Sequence, residues 1–285
     1  MKKNTLKHLL IFPLAYIIIQ LPVKAYSQND FENSLRLQMD SLLPTHNEVA
    51  QKNNQGLFPN SAPQAIMSPV GWGGFGTCIF GTVGGAYPEV YTNSKADLIT
   101  SAGLAMGNPI KAVNVAVSLN MTDVHRFRDF SGNFVISRMI FKGSSLSVGG
   151  FQLLANSQQS DASNPTFYVA FSHAVQTMPS ETEGCSKLSY TIGVGSGRFV
   201  LKSEKDIAAG KGKYGTAVFG SISYEVFNHV NVNAEWSGMN LGVSVGMRPF
   251  KNFLSFGVGV NDLTGYSADK PNVVFVIGYP LSLTK

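Results

Sequence analysis

The sequence predicts an all-β fold: a transmembrane, antiparallel, up-and-down β-barrel of about 12 strands. Three observations predict it. First, Val230, Val232, Ala234 and Trp236 alternate with Asn231, Asn233 and Glu235, and Leu241, Val243, Val245 and Met247 alternate with Asn240, Gly242, Ser244 and Gly246. A period of two around the Ser237-Gly238 turn is a hairpin with one apolar and one polar face. Second, the alternating runs last about ten residues, the length a tilted strand needs to cross a bilayer. Third, short and long connections tend to alternate, as the two rims of such a barrel require.

Taken in order, the chain begins with Lys2, Lys3 and Lys7, then an apolar run from Leu9 to Val23 and the small-residue stretch Ala25-Tyr26-Ser27. Residues 1–27 are expected to be a secretory signal peptide, cleaved after Ser27. Without its four lysines the net charge of +5 falls to about +1, so the basic composition does not point to nucleic acid. Residues 28–70 are polar and rich in Asn and Gln. They are expected to form a largely irregular periplasmic lead. Leu35, Met39 and Leu42 within Phe31–Leu43 have helical spacing, and Pro59, Pro63 and Pro69 close the segment.

Residues 71–285 are expected to be the barrel. Its strands are read as Gly71–Gly84, Ala96–Met106, Ala112–Met121, Asn133–Phe141, Ser145–Leu154, Thr166–Val175, Leu188–Val194, Gly215–Val226, Val230–Trp236, Met239–Arg248, Phe253–Val260 and Val273–Leu281. Two connections break the alternation of rims. Gln176–Lys187 is long for its side, and Ser237-Gly238 is short for its own. With twelve strands both ends of the barrel lie at the short-turn, periplasmic rim. Aromatics near strand ends suit interfacial girdles: Trp72, Tyr87, Tyr91, Tyr168, Tyr190, Tyr214, Trp236, Phe250, Phe253, Tyr266 and Tyr279.

On these features, residues 71–281 resemble a bacterial outer-membrane β-barrel. The stretches Glu235-Trp236-Ser237-Gly238, Arg248-Pro249-Phe250 and Asp262-Leu263-Thr264-Gly265-Tyr266 are similar to hairpin repeats in barrels of unassigned role. The resemblance implies a cell outer membrane location in a Gram-negative envelope. It also implies outer-membrane lipid around the barrel, the barrel-insertion machinery as an assembly partner, and room for a homo-oligomer. Many such barrels end on an aromatic residue. This chain ends Leu283-Thr284-Lys285, and Tyr279 is the nearest substitute.

The polar strand face is the candidate functional surface. Asn114, Ser118, Asn120, Arg138, Glu225, Asn231, Asn233, Glu235, Asn240 and Arg248 are expected to line the lumen, since polar groups facing lipid are costly. Glu225 and Glu235 either pair with Arg248 and Arg138 and plug the barrel, or line a small aqueous passage. The connection Gly195–Tyr214 carries Arg198, Lys202, Lys205, Lys211 and Lys213 against Glu204 and Asp206. It is either a solvated loop or a site for anionic head groups.

Enzyme signatures are sparse. Ser172 and His173 are adjacent on a strand, so their side chains point to opposite faces and cannot pair. His46, His125 and His229 lie in the lead or in connections, and Gly193–Gly197 is glycine-rich without opening a helical run. No nucleophile elbow, zinc-protease or P-loop pattern is present. Cys78 and Cys185 could form a disulfide only if Cys78 lay near the periplasmic rim, and two cysteines without spaced histidines do not make a metal site. No catalytic residue, cofactor or metal is expected. The expected role is non-enzymatic and porin-like: passing small polar solutes, or serving as a structural or assembly part of the envelope. A lipid-modifying outer-membrane enzyme and a secreted soluble β-sandwich that binds a ligand are the alternatives.

Overall fold

The computed structural model describes residues 56–74, 76–87, 97–124, 127–155, 165–249, 254–267 and 270–283. The signal segment, Phe31–Leu43, His46, Tyr91, His125, Phe250 and Phe253 lie outside the described residues. In chain order the strands are β1 (Phe58–Pro59), β2 (Cys78–Tyr87), β3 (Asp97–Gly107), β4 (Asn114–Asp123), β5 (Arg128–Phe141), β6 (Ser144–Leu153) and β7 (Thr166–Ala174). They continue with β8 (Cys185–Ser186), β9 (Leu188–Gly195), β10 (Val218–Phe227), β11 (Val230–Trp236), β12 (Leu241–Met247), β13 (Ser255–Asn261) and β14 (Asn272–Ser282).

Twelve of these strands form one closed barrel, each pairing antiparallel with the next. The ring closes where β14 pairs β2, from Val273↔Tyr87 to Ser282↔Cys78. The remaining two, β1 and β8, form a short parallel pair of their own. Among the described residues no second sheet stacks on the barrel, so the sandwich reading is overturned. Val117 and Val243, which a sandwich would bury, are 48% and 40% exposed. In β10, Val218, Ile222, Tyr224 and Val226 are exposed while Phe219, Ser221, Ser223 and Glu225 are buried. The exterior is therefore the apolar face of each zigzag, the arrangement of a membrane-spanning barrel, while the interior combines polar side chains with apolar clusters such as Phe80, Phe151 and Phe219, and Ile99, Val274 and Val276.

The rims differ as expected. Residues 142–143 and 228–229 turn at one rim, while residues 154–165, 196–217 and 262–271 connect strands at the other. Both suspected exceptions are real: 175–187 carries β8 at the short-turn rim, and 237–240 is a tight turn opposite, with Gly238 at φ 86. The long connection expected at Thr122–Gly132 shrinks to 124–127 because β5 begins early, at Arg128.

The first strand departs most from expectation. It starts at Cys78 rather than Gly71. Residues 56–70, read as part of a periplasmic lead, lie inside the barrel, followed by Gly71–Gly74. Phe58, Ala62, Ala65, Ile66, Met67, Val70 and Trp72 are all buried. Such a segment shows no strand or helix period because it makes almost no regular structure; its order comes from the wall around it. The Trp72 and Phe58 rings sit 6.4 Å apart beside Met139 and Ala174, so Trp72 belongs to the interior and not to a girdle.

A filled lumen as the candidate functional site

The inner segment enters at the short-turn rim, rises into the barrel and returns. Its first anchor is β1 on β8, with Phe58 N donating to Gly184 O at 2.9 Å. Next, Asn60 Nδ2 donates to Asn231 Oδ1 at 2.6 Å, and Ser61 Oγ meets His229 Nδ1 at 2.6 Å. Asn231 Nδ2 donates to Ala62 O at 3.1 Å and Asn233 Nδ2 to Pro63 O at 3.2 Å. Ser189 Oγ donates to Gln64 Oε1. On the way back, Ser147 Oγ donates to Val70 O at 2.6 Å, Gly71 N to Ser172 Oγ at 2.8 Å, and Gly74 N to Asn114 Oδ1 at 3.2 Å.

At the top of the excursion sits Glu235, 1% exposed. The alternation of β11 points it inward with Asn231 and Asn233. Its Oε1 accepts from Ile66 N at 2.6 Å and Ser244 Oγ at 2.8 Å. Its Oε2 accepts from Met67 N at 2.7 Å, Ser68 N at 3.0 Å and Ser68 Oγ at 3.1 Å. Three successive backbone amides converging on one carboxylate form an anion nest, and charge-assisted bonds are the strong class. Pairing of Glu235 with an arginine, one of the two sequence readings, is replaced by these dipoles. The chain passes close to the wall where side chains are missing. A Cβ on Gly246 would lie 2.7 Å from Pro63 Cβ, and one on Gly257 2.8 Å from Ile66 Cγ2.

The rest of the lumen is closed from the long-loop side. Phe199, from the 3-10 turn Gly197–Phe199, stacks on Phe219 with centroids 4.4 Å apart, and Phe151 stacks on Tyr168 at 4.9 Å. Tyr168, expected in a girdle, is therefore buried inside. The connection 196–217 folds over the rim with α1 (Glu204–Ala208). Lys202, expected at the surface, is buried there, its Nζ donating to Lys211 O and Tyr266 O, both at 2.7 Å. Lys211 Nζ lies 3.9 Å from Asp206 Oδ1, and Ser267 Oγ donates to Asp206 Oδ2 at 2.6 Å.

Of the residues expected in the lumen, Asn114, Ser118, Asn120, Glu225, Asn231, Asn233, Glu235, Asn240 and Arg248 are buried. Asn120 and Ser118 bond across strands, to Ser131 at 3.3 Å and Asn133 at 3.4 Å. Asn240 ties the outer connections together, donating to Asp262 Oδ1 at 2.7 Å and Ser267 O at 2.6 Å. Glu225 Oε1 accepts from His229 N at 3.1 Å. Arg138 is the exception: it is exposed, on the same face as Ile136 and Ile140. Its charge suggested the lumen, but the alternation of β5 places it with the apolar set. The partners that sequence reasoning missed are Asn60, Gln64 and Ser68, because nothing local marks a lead residue as the complement of a wall 125 to 171 positions away.

Ser172 and His173 do point apart. Ser172 turns inward, 2.6 Å from Thr191 Oγ1, while His173 turns outward and its Nδ1 lies 2.7 Å from Ser144 Oγ. Cys78 and Cys185 are buried and not joined by a disulfide. Among the described residues no cluster suits a metal ion.

No family model and no curated protein matches the chain. Among solved structures, it is similar to outer membrane phospholipase A from Escherichia coli, at TM-score 0.39 and 10% identity, covering 72% of this chain and 90% of that one. The outer membrane phospholipase dimer with bound calcium from Salmonella typhi gives 0.40 and 10%, with the same coverage. An outer membrane channel from Pseudomonas putida F1 gives 0.39 and 10%, covering 75% and 97%. At these scores the likeness says nothing about activity.

Proposed function

We propose that the chain is a non-enzymatic outer-membrane barrel whose resting lumen is closed by its own residues 56–74, and that small polar solutes pass when this segment is displaced. The observation that supports this reading is the Glu235 nest and the polar wall below it. Asn231, Asn233, Ser147, Ser172 and Asn114 hold the segment by hydrogen bonds. Such bonds exchange for water at a small net cost, about 0.5–1.5 kcal/mol each. The test is conductance of the purified full chain in a planar bilayer. A quiet wild type with stepwise currents in Glu235→Ala supports gated passage; silence in both favours a structural or assembly role.

One geometric feature favours a second reading, lipid hydrolysis: the outward Ser144–His173 pair at 2.7 Å. Nucleophilic catalysis also needs a group that orients the histidine. Among the described residues no carboxylate approaches His173, whose neighbour is the Tyr190 ring at 5.5 Å. Release of fatty acid from mixed micelles should be at background level and equal in wild type and Ser144→Ala. Turnover that Ser144→Ala abolishes would establish the enzyme reading instead.

A further inference from the structure

We infer that Arg138, with Lys111 and Lys142 in the adjoining turns, binds the phosphate of a glycerophospholipid in the leaflet at the short-turn rim. Ser137 and Met139 on either side of Arg138 are buried and inward, so Arg138 is held on the outer face between Ile136 and Ile140. Among the described residues it is the one charged side chain that points outward from within a barrel strand rather than from its end. No protein acceptor among them meets its guanidinium. A lipid-facing arginine is disfavoured at mid-membrane and tolerated near the interface. β5 ends three residues on, at Phe141. That is about 10 Å along the strand, and less along the membrane normal because barrel strands tilt. A snorkelling arginine spans such a depth.

The rim supplies the rest of the site. Met139 N donates to Pro109 O at 2.9 Å, which fixes the 108–113 turn against β5. Asn108 Oδ1 accepts from Lys111 N at 3.2 Å, so the turn carrying the exposed Lys111 is ordered. Lys142 follows Phe141 directly, and Phe141 is itself 71% exposed, as an interfacial aromatic should be. Three cations thus gather on one arc, while Asp123 and Asp129 of the same strands lie at the opposite rim. The planar guanidinium fork matches a phosphodiester's two oxygens, and flanking lysines raise the local positive potential.

Titration of the folded full chain in detergent with dimyristoyl phosphatidylglycerol, followed by native mass spectrometry, tests the site. Arg138→Gln should weaken the first bound lipid about fivefold, the effect of one charge at a membrane surface. Arg138→Lys should fall between, having charge without the fork. Inorganic phosphate should not displace the lipid, and heat-modifiable migration should match wild type. Equal lipid retention in Arg138→Gln would overturn the inference, and so would displacement by millimolar inorganic phosphate, which would mark a free-anion site. Should Arg138→Gln not fold, the double variant Lys111→Gln, Lys142→Gln, confined to turns, should show a similar weakening; unchanged retention there overturns it equally.

Discussion

Replacing Glu235 by glutamine keeps the side chain's shape and removes its charge and one acceptor. The amide oxygen is best placed on the side of Met67 N, Ser68 N and Ser68 Oγ, where three donors converge. The amide nitrogen then faces Ile66 N and Ser244 Oγ. The Ser244 hydroxyl can rotate to accept, but the Ile66 amide cannot, and a buried unsatisfied donor costs about 1–3 kcal/mol. The three remaining bonds drop from the charge-assisted to the neutral class, a further loss of about 1 kcal/mol for each at most. A total of about 3–4 kcal/mol shifts the ratio of displaced to seated segment by about two to three powers of ten. Amide hydrogen exchange at residues 66–68 should accelerate by that factor in Glu235→Gln. Exchange in β2 and β14, which close the ring, should stay slow. In a planar bilayer the variant should open in discrete steps. Exchange at 66–68 equal to wild type would refute the reasoning, because it would mean that the nest does not hold the segment.

Two further outcomes follow from the same geometry. Phe199→Ala removes a side chain 1% exposed and stacked on Phe219, a loss of about 3–5 kcal/mol for a buried phenylalanine. The 196–217 connection should become protease-sensitive while heat-modifiable migration is unchanged; an equally resistant connection would show that Phe199 does not hold it. His229, in the short turn between β10 and β11, touches Ser61 through Nδ1, donates its N–H to Glu225 and lies near Arg248. Burial holds its imidazole below the ordinary 6.5, with Glu225 pulling it up and Arg248 pushing it down. The seated state therefore binds fewer protons than the displaced one. Its stability should be full above about pH 6.5 and should decline as pH falls from there towards the lowered value. Opening at residues 60–64, read from exchange rates corrected for the base-catalysed intrinsic rate at each pH, should rise between pH 7.5 and 5.5 in wild type and stay flat in His229→Gln; equal slopes would exclude His229 as the cause.

Strand identity was legible in the sequence because a pleated chain reports its two faces every second residue. Val113, Val115, Val117 and Leu119 against Asn114, Ser118 and Asn120 needed no tertiary information. The same alternation placed Phe134, Ile136 and Arg138 together, so the lumen assignment of Arg138 came from weighing charge above period. Boundaries were less legible where residue types suit both strand and connection. Gly71–Gly74 has the glycine content of a bent strand and is in fact part of the inner chain, and β5 extends past Gly132 to Arg128.

By itself the sequence determined that the chain is a closed antiparallel barrel with an oily outside and an inner wall rich in Asn, Ser and Glu. What occupies that inside was decided only by the tertiary structure. Asn, Ser and Glu on an inner wall are satisfied equally by water and by a peptide backbone, so their presence does not distinguish a pore from a plug. The choice rests on contacts such as Glu235 with Ile66, Met67 and Ser68, between residues nearly the length of the barrel domain apart. No local pattern encodes such contacts, because they exist only once the ring has closed around the segment it contains.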